Sequence, residues 1–119
     1  IGLGTTAFVT GTHGVNFATV FESRFKKIAG ITSAYTTLKL WLTSAVGGND
    51  YPVFRLTIGT LSGTLKGNVD GTVPVEFNFT LNLSSLTAGT VYNVVGELNT
   101  SDPGSSGNPR IGLISIFGI

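Results

Sequence analysis

From Val73 to Leu83 every second residue is apolar: Val73, Val75, Phe77, Phe79, Leu81 and Leu83 alternate with Pro74, Glu76, Asn78, Thr80 and Asn82. A helix would scatter these side chains around its circumference, whereas a strand sends them all to one face. The run therefore predicts a long, half-buried β-strand, with Pro74 tolerated near its start. Shorter alternations recur at Leu38, Leu40 and Leu42, at Phe54, Leu56 and Ile58, and at Tyr92, Val94 and Leu98.

Clusters of turn-forming residues separate these runs: Gly47-Gly48-Asn49-Asp50, Gly67-Asn68-Val69-Asp70-Gly71, and the stretch from Ser101 to Pro109. Such residues accept positive φ or preset a turn. Short strands punctuated in this way predict an all-β chain, an antiparallel sandwich of immunoglobulin-like or jelly-roll type. The 119 residues suit one domain spanning 1–119. One segment, 17–29, reads two ways. Phe17, Val20, Phe21, Phe25 and Ile28 fall at helical spacing between a capping Asn16 and a closing Gly30, which predicts a short helix, yet Phe21, Ser23, Phe25 and Lys27 also alternate as a strand would.

Charge is scarce. Only 11% of residues are Asp, Glu, Lys or Arg, less than half of the roughly 25% usual in soluble domains. Much neutral or apolar surface is left, which favours association. A net charge of +1 provides no field for phosphate backbones, so nucleic acid is not an expected partner. Gly, Thr and Ser interrupt every apolar stretch, so no membrane-spanning helix is expected. The absence of cysteine removes thiol chemistry and disulfides. There is also no Met, so Ile1 reads as a cut end, left by removal of a secretory leader or pro-segment or by an N-terminal part outside this sequence.

The inventory for catalysis is poor: one histidine, His13, in a Gly/Thr-rich stretch, and six scattered carboxylates. Asp50, Asp70 and Asp102 lie in turns, where carboxylates bond local backbone; a calcium site is the alternative, but no EF-hand spacing supports it. Glu76 and Glu97 would have to face each other to act as a glycosidase pair. No enzyme activity, metal or cofactor is expected. Arg24, Lys26 and Lys27 form a small basic cluster, read as a solvated face. Sequons begin at Asn78, Asn82 and Asn99; the first two share the outward parity of the long strand and the third opens a loop, so all three are candidate glycosylation sites. Trp41 lies with Lys39 on the face opposite Leu38, Leu40 and Leu42, and Tyr35 and Tyr51 lie near strand ends, a set suited to stacking on sugar rings unless another layer covers that face.

The run Leu86-Thr87-Ala88-Gly89-Thr90-Val91-Tyr92-Asn93-Val94 resembles the corner of fibronectin type III and related immunoglobulin-like domains, in which a tyrosine hydroxyl ties down the connection between two sheets. The likeness covers residues 73–98. It implies a sandwich and says nothing of a ligand.

Both ends of the chain are greasy. Ile1, Leu3, Ala7 and Val9 give residues 1–10 the look of an extended apolar arm. Ile111, Leu113, Ile114, Ile116 and Phe117 occupy both parities, which requires either a central strand or cover from a neighbouring subunit. The expectation is a self-assembling structural subunit of an extracellular filament, such as a pilus, or of a virion, with copies of itself as partners. The alternative is a carbohydrate-binding or adhesin head, also at the cell surface, with glycans as partners.

Overall fold

The computed structural model describes residues 8–10, 17–45, 49–101 and 107–119. Their regular elements are eight strands: β1 (Phe8–Thr10), β2 (Ala18–Lys26), β3 (Ser33–Leu42), β4 (Pro52–Ile58), β5 (Leu61–Lys66), β6 (Val75–Asn82), β7 (Val91–Thr100) and β8 (Pro109–Gly118). All pair antiparallel: β1 with β8, β2 with β7, β3 with β6 and β4 with β5. Two further pairings, β3 with β8 and β4 with β7, gather them into sheets ordered β1-β8-β3-β6 and β2-β7-β4-β5. This nesting is one long antiparallel ribbon rolled over itself, the jelly roll. An immunoglobulin-like domain divides its strands differently. The sandwich is therefore as expected, and its type is the jelly roll.

The alternating runs face inward as their period demands. Leu38, Leu40 and Leu42 of β3 and Phe54, Leu56 and Ile58 of β4 are each at most 1% exposed, and Val94 and Leu98 of β7 join them from the second sheet. In the long run, Val75, Phe77 and Phe79 are half-buried along the edge strand β6, and Leu81 and Leu83 are buried. Val73 lies before the strand and is 68% exposed, so the core face begins one step later than the alternation suggests.

Segment 17–29 forms β2 and no helix. Its tertiary setting decides between the two periodicities. The Phe21 ring lies over Gly96 of β7, so close that a Cβ there would come within 2.0 Å of Phe21 Cε1. Phe21 and Phe25, four residues apart in regular register, share the side turned to the core cluster, and the register shift between Thr19 and Phe21 lets the adjacent Val20 pack there too. The basic cluster is broken as well: Lys27 is 6% exposed and its Nζ donates to the Ile28 carbonyl at 3.2 Å, while Arg24 and Lys26 stay at the surface.

Strand β8 is central in its sheet, between β1 and β3. Against β3, Gly112 aligns with Lys39 but Ser115 with Thr37, so β8 carries one extra residue there. This bulge shifts the parity, and Ile111, Ile114 and Ile116 are all buried despite their mixed spacing. They need no second molecule to cover them. Phe117, 61% exposed, points outward opposite Tyr35. Leu113 sits within the bulge, its side chain outside the described residues, as are Ile1, Leu3 and Ala7; Val9 pairs in register with Ile111.

The connection from β6 to β7 has the expected tie: the Thr87 N–H donates to the Tyr92 hydroxyl at 2.8 Å. That bond lowers the Tyr92 pKa from its ordinary value. Gly89 supports the turn at φ 87°, where other residues are strained. Tyr92→Phe keeps the ring and deletes the acceptor, so equilibrium urea unfolding is expected to show a lower midpoint with an unchanged m value.

Candidate functional site

Cross-strand partners share a face of a sheet, so the pairing register identifies what stands on each outer surface. On the first sheet β3 contributes Tyr35, Thr37, Lys39 and Trp41 to the outside. In register on β6 lie Thr80, Asn78 and Glu76; on β8 lie Phe117, Ser115, Gly112 and Arg110. Tyr35 is 36% exposed beside the more open Phe117, while Trp41 and Lys39 are half-buried. The result is a surface with an aromatic pair at one end, a Trp at the other, and hydroxyls, an amide and three charged groups between and alongside. From Tyr35 to Trp41 is six residues, a span of about 20 Å at roughly 3.4 Å per residue.

The second sheet is built differently outside, because its aromatic rings are engaged with cations. The Arg55 guanidinium lies 4.1 Å from the Phe17 ring centroid and grips Glu97 with two bonds, Nε to Oε1 at 3.0 Å and Nη2 to Oε2 at 2.9 Å. The bond to Glu97 raises the Arg55 pKa further above its already high value. Lys66 Nζ lies 5.6 Å from the Tyr51 ring centroid. Tyr51, which immediately precedes β4, is thus on the sheet opposite Trp41 and Tyr35, and the three do not form one platform.

Other sequence candidates are separated or occupied. Glu76 is on the outer face of the first sheet, and Glu97 is bound to Arg55 on the second, so no glycosidase pair forms. Asp50, 1% exposed, accepts from the Tyr51 N–H at 2.9 Å and the Ser101 hydroxyl at 2.8 Å. The Asp70 N–H donates to the Asp50 carbonyl, and Asp70 Oδ1 accepts from the Asp50 N–H, which staples two turns together. Among the described residues no three His, Cys, Asp or Glu side chains gather as metal ligands would. His13 and Asp102 lie outside the described residues.

Of the sequon asparagines, Asn78 and Asn82 are exposed on β6, and Asn82 Oδ1 accepts from the N–H and hydroxyl of Ser84. Asn99 does not open a loop. It lies within β7 and is 7% exposed, which leaves no room for a glycan. Sequence reasoning missed Arg110, Ser115 and the outward Phe117 as members of the Trp41 face. The available signal was Gly112, since a glycine inside a strand pattern marks a bulge.

No family model matches the chain, and no curated protein matches it. Among solved structures it is similar to a carbohydrate-binding module, the CBM36-1 domain of a multidomain xylanase from the hindgut metagenome of Trinervitermes trinervoides. The likeness covers 100% of this chain and 97% of that domain, with a TM-score of 0.56 and 16% sequence identity. At that identity it shows the fold: a two-sheet β-sandwich.

Proposed function

We propose that the chain is a non-catalytic carbohydrate-binding module that holds a glycan across the outer face of the β1-β8-β3-β6 sheet. The observation that carries this reading is the alignment of Tyr35, Phe117 and Trp41 on one solvent-facing surface, with Thr37, Lys39, Asn78 and Glu76 among them. Sugar rings present an apolar face and a polar edge, and need aromatic rings and hydrogen-bonding groups side by side. The sandwich shared with a carbohydrate-binding domain of a xylanase supports the reading. A glycan-binding face works where polysaccharide or cell-surface sugar is met, outside the cytoplasm. The filament or virion reading loses the part of its premise that rested on the C-terminal strand, because Ile111, Ile114 and Ile116 are sheltered by the chain's own core.

Glycan-array screening followed by calorimetric titration tests this. Wild-type protein is expected to bind at least one oligosaccharide class. Trp41→Ala is expected to weaken that binding tenfold or more, since an aromatic anchor contributes about 2 kcal/mol and ~1.4 kcal/mol is a factor of ten. Tyr51→Ala, on the other sheet, should leave it unchanged. A wild type that binds no glycan, or a Trp41→Ala protein that binds as well as wild type, would sink the reading.

A further inference from the structure

The sheet orders leave β1, β6, β2 and β5 as edge strands. An open edge is a template for another strand, and natural proteins guard theirs with bulges, charges or brevity. Two of the four are guarded. β1 has only three residues, and β2 carries a register shift and the charges of Glu22, Arg24 and Lys26. The other two are not: β5 and β6 each keep unbroken register with one neighbour, and among the described residues neither pairs with a strand on its other side. They hold one charged group apiece, Lys66 and Glu76, of opposite sign.

These two edges lie side by side on one flank and run in opposite directions. A Cβ on Gly63 would come within 3.4 Å of both Phe79 and Leu81, and one on Gly67, just past β5, within 3.4 Å of Leu40, the register partner of Val75. The Lys66 end of β5 therefore lies at the Glu76 end of β6. A half-turn about an axis parallel to the strands consequently sets β5 of a second copy beside β6 of the first, antiparallel and with the outer faces level; the same half-turn sets the other β5 beside the other β6.

The register this produces is complementary in charge and in shape. Glu76 stands opposite Lys66 of the second copy and Asn78 opposite Thr64, all four exposed. On the inner side the half-buried Phe77 meets Leu65, and Phe79 meets Gly63, where no side chain competes for room. Within one copy Glu76 is in register with Lys39, and the Lys66 ammonium lies 5.6 Å from the Tyr51 ring centroid; among the described residues neither is in an ion pair. Antiparallel pairing of β6 with β6 would instead put Glu76 opposite an uncharged residue and leave Lys66 without a role.

We propose that this flank binds a second copy of the chain, with β6 of each adding to β5 of the other and two Glu76 to Lys66 contacts setting the register. Main-chain bonds supply the attraction in such strand addition, and charge pairs select partner and alignment. The two Trp41 faces of the dimer point in opposite directions, which suits it to bridging two glycan chains, but its formation does not depend on glycan binding.

Sedimentation of the full chain over a concentration series is expected to show monomer in equilibrium with dimer. Glu76→Lys and Lys66→Glu should each weaken the dimer about tenfold or more, since each sets like charges opposite one another at two places. The double variant Glu76→Lys/Lys66→Glu restores both pairs and should recover wild-type association. Thermal unfolding of the dilute monomers checks that all are folded. The chain has no cysteine, so Asn78→Cys/Thr64→Cys gives a second readout. These positions lie on opposite outer faces of one chain, and oxidation is expected to yield a covalent dimer that neither single variant forms. A wild type that stays monomeric at millimolar concentration overturns the proposal. So does a dimer that charge reversal leaves intact, one that the double reversal fails to restore, or one that Asn78→Cys links by itself, as pairing of β6 with β6 would allow.

Discussion

Phe54→Ala is expected to lose about 3–5 kcal/mol of folding stability, the range for emptying a large aromatic site in a packed core. Phe54 lies on β4, between β5 and β7, and is 0% exposed. Its ring is stacked 6.2 Å from that of Phe21 on the edge strand β2 and meets Phe79 of the opposite sheet edge-on at 6.1 Å. One side chain thus holds a neighbour in each sheet, and its removal takes a ring contact from both. Urea unfolding monitored by the single tryptophan measures the loss. A cost below about 1 kcal/mol would mean that the two phenylalanines close the space themselves, and that the sheets are less firmly matched than their contacts indicate. Phe117→Ala, at an exposed position, is expected to stay within about 0.5 kcal/mol of wild type.

What the sequence revealed follows the range of each physical effect. Alternation is local, so the strands around Leu38–Leu42, Phe54–Ile58 and Val75–Leu83 were legible, and so was the placing of Trp41 and Tyr35 opposite the core residues of β3. The tie between Thr87 and Tyr92 was legible because it closes over five residues. The jelly-roll pairing was not, since β1 meets β8 across most of the chain and no local pattern encodes that partnership. Nor was the choice of strand for residues 17–29. Their spacing satisfies both periods, and the deciding feature, the bare backbone of Gly96, lies far along the chain. The candidate face was half legible for the same reason: β3 could be read alone, but its neighbours Arg110, Ser115 and Phe117 depend on a shift in β8. Tyr51 was grouped wrongly with Trp41 because nearness to a strand end does not tell which sheet that strand joins.

That shift yields the second large effect. Ile111→Ala and Ile114→Ala are each expected to cost about 2–4 kcal/mol, because both residues are at most 2% exposed and truncating a buried isoleucine loses transfer energy and leaves a cavity. The two positions are three apart, so on a regular strand they would stand on opposite faces, and one of them would tolerate alanine within about 0.5 kcal/mol. The extra residue between Gly112 and Ser115 turns both inward. Because the side-chain period is two, a shift of one residue exchanges the faces from that point onward. It is what places Ser115 and Phe117 outside, beside Thr37 and Tyr35, while Ile116 stays in the core. Equal losses for the two alanine variants in urea unfolding would establish the bulge, and with it the composition of the Trp41 face. A large loss at Ile111 and almost none at Ile114 would mean a regular strand, with Phe117 turned into the core and the aromatic pair at the end of that face gone.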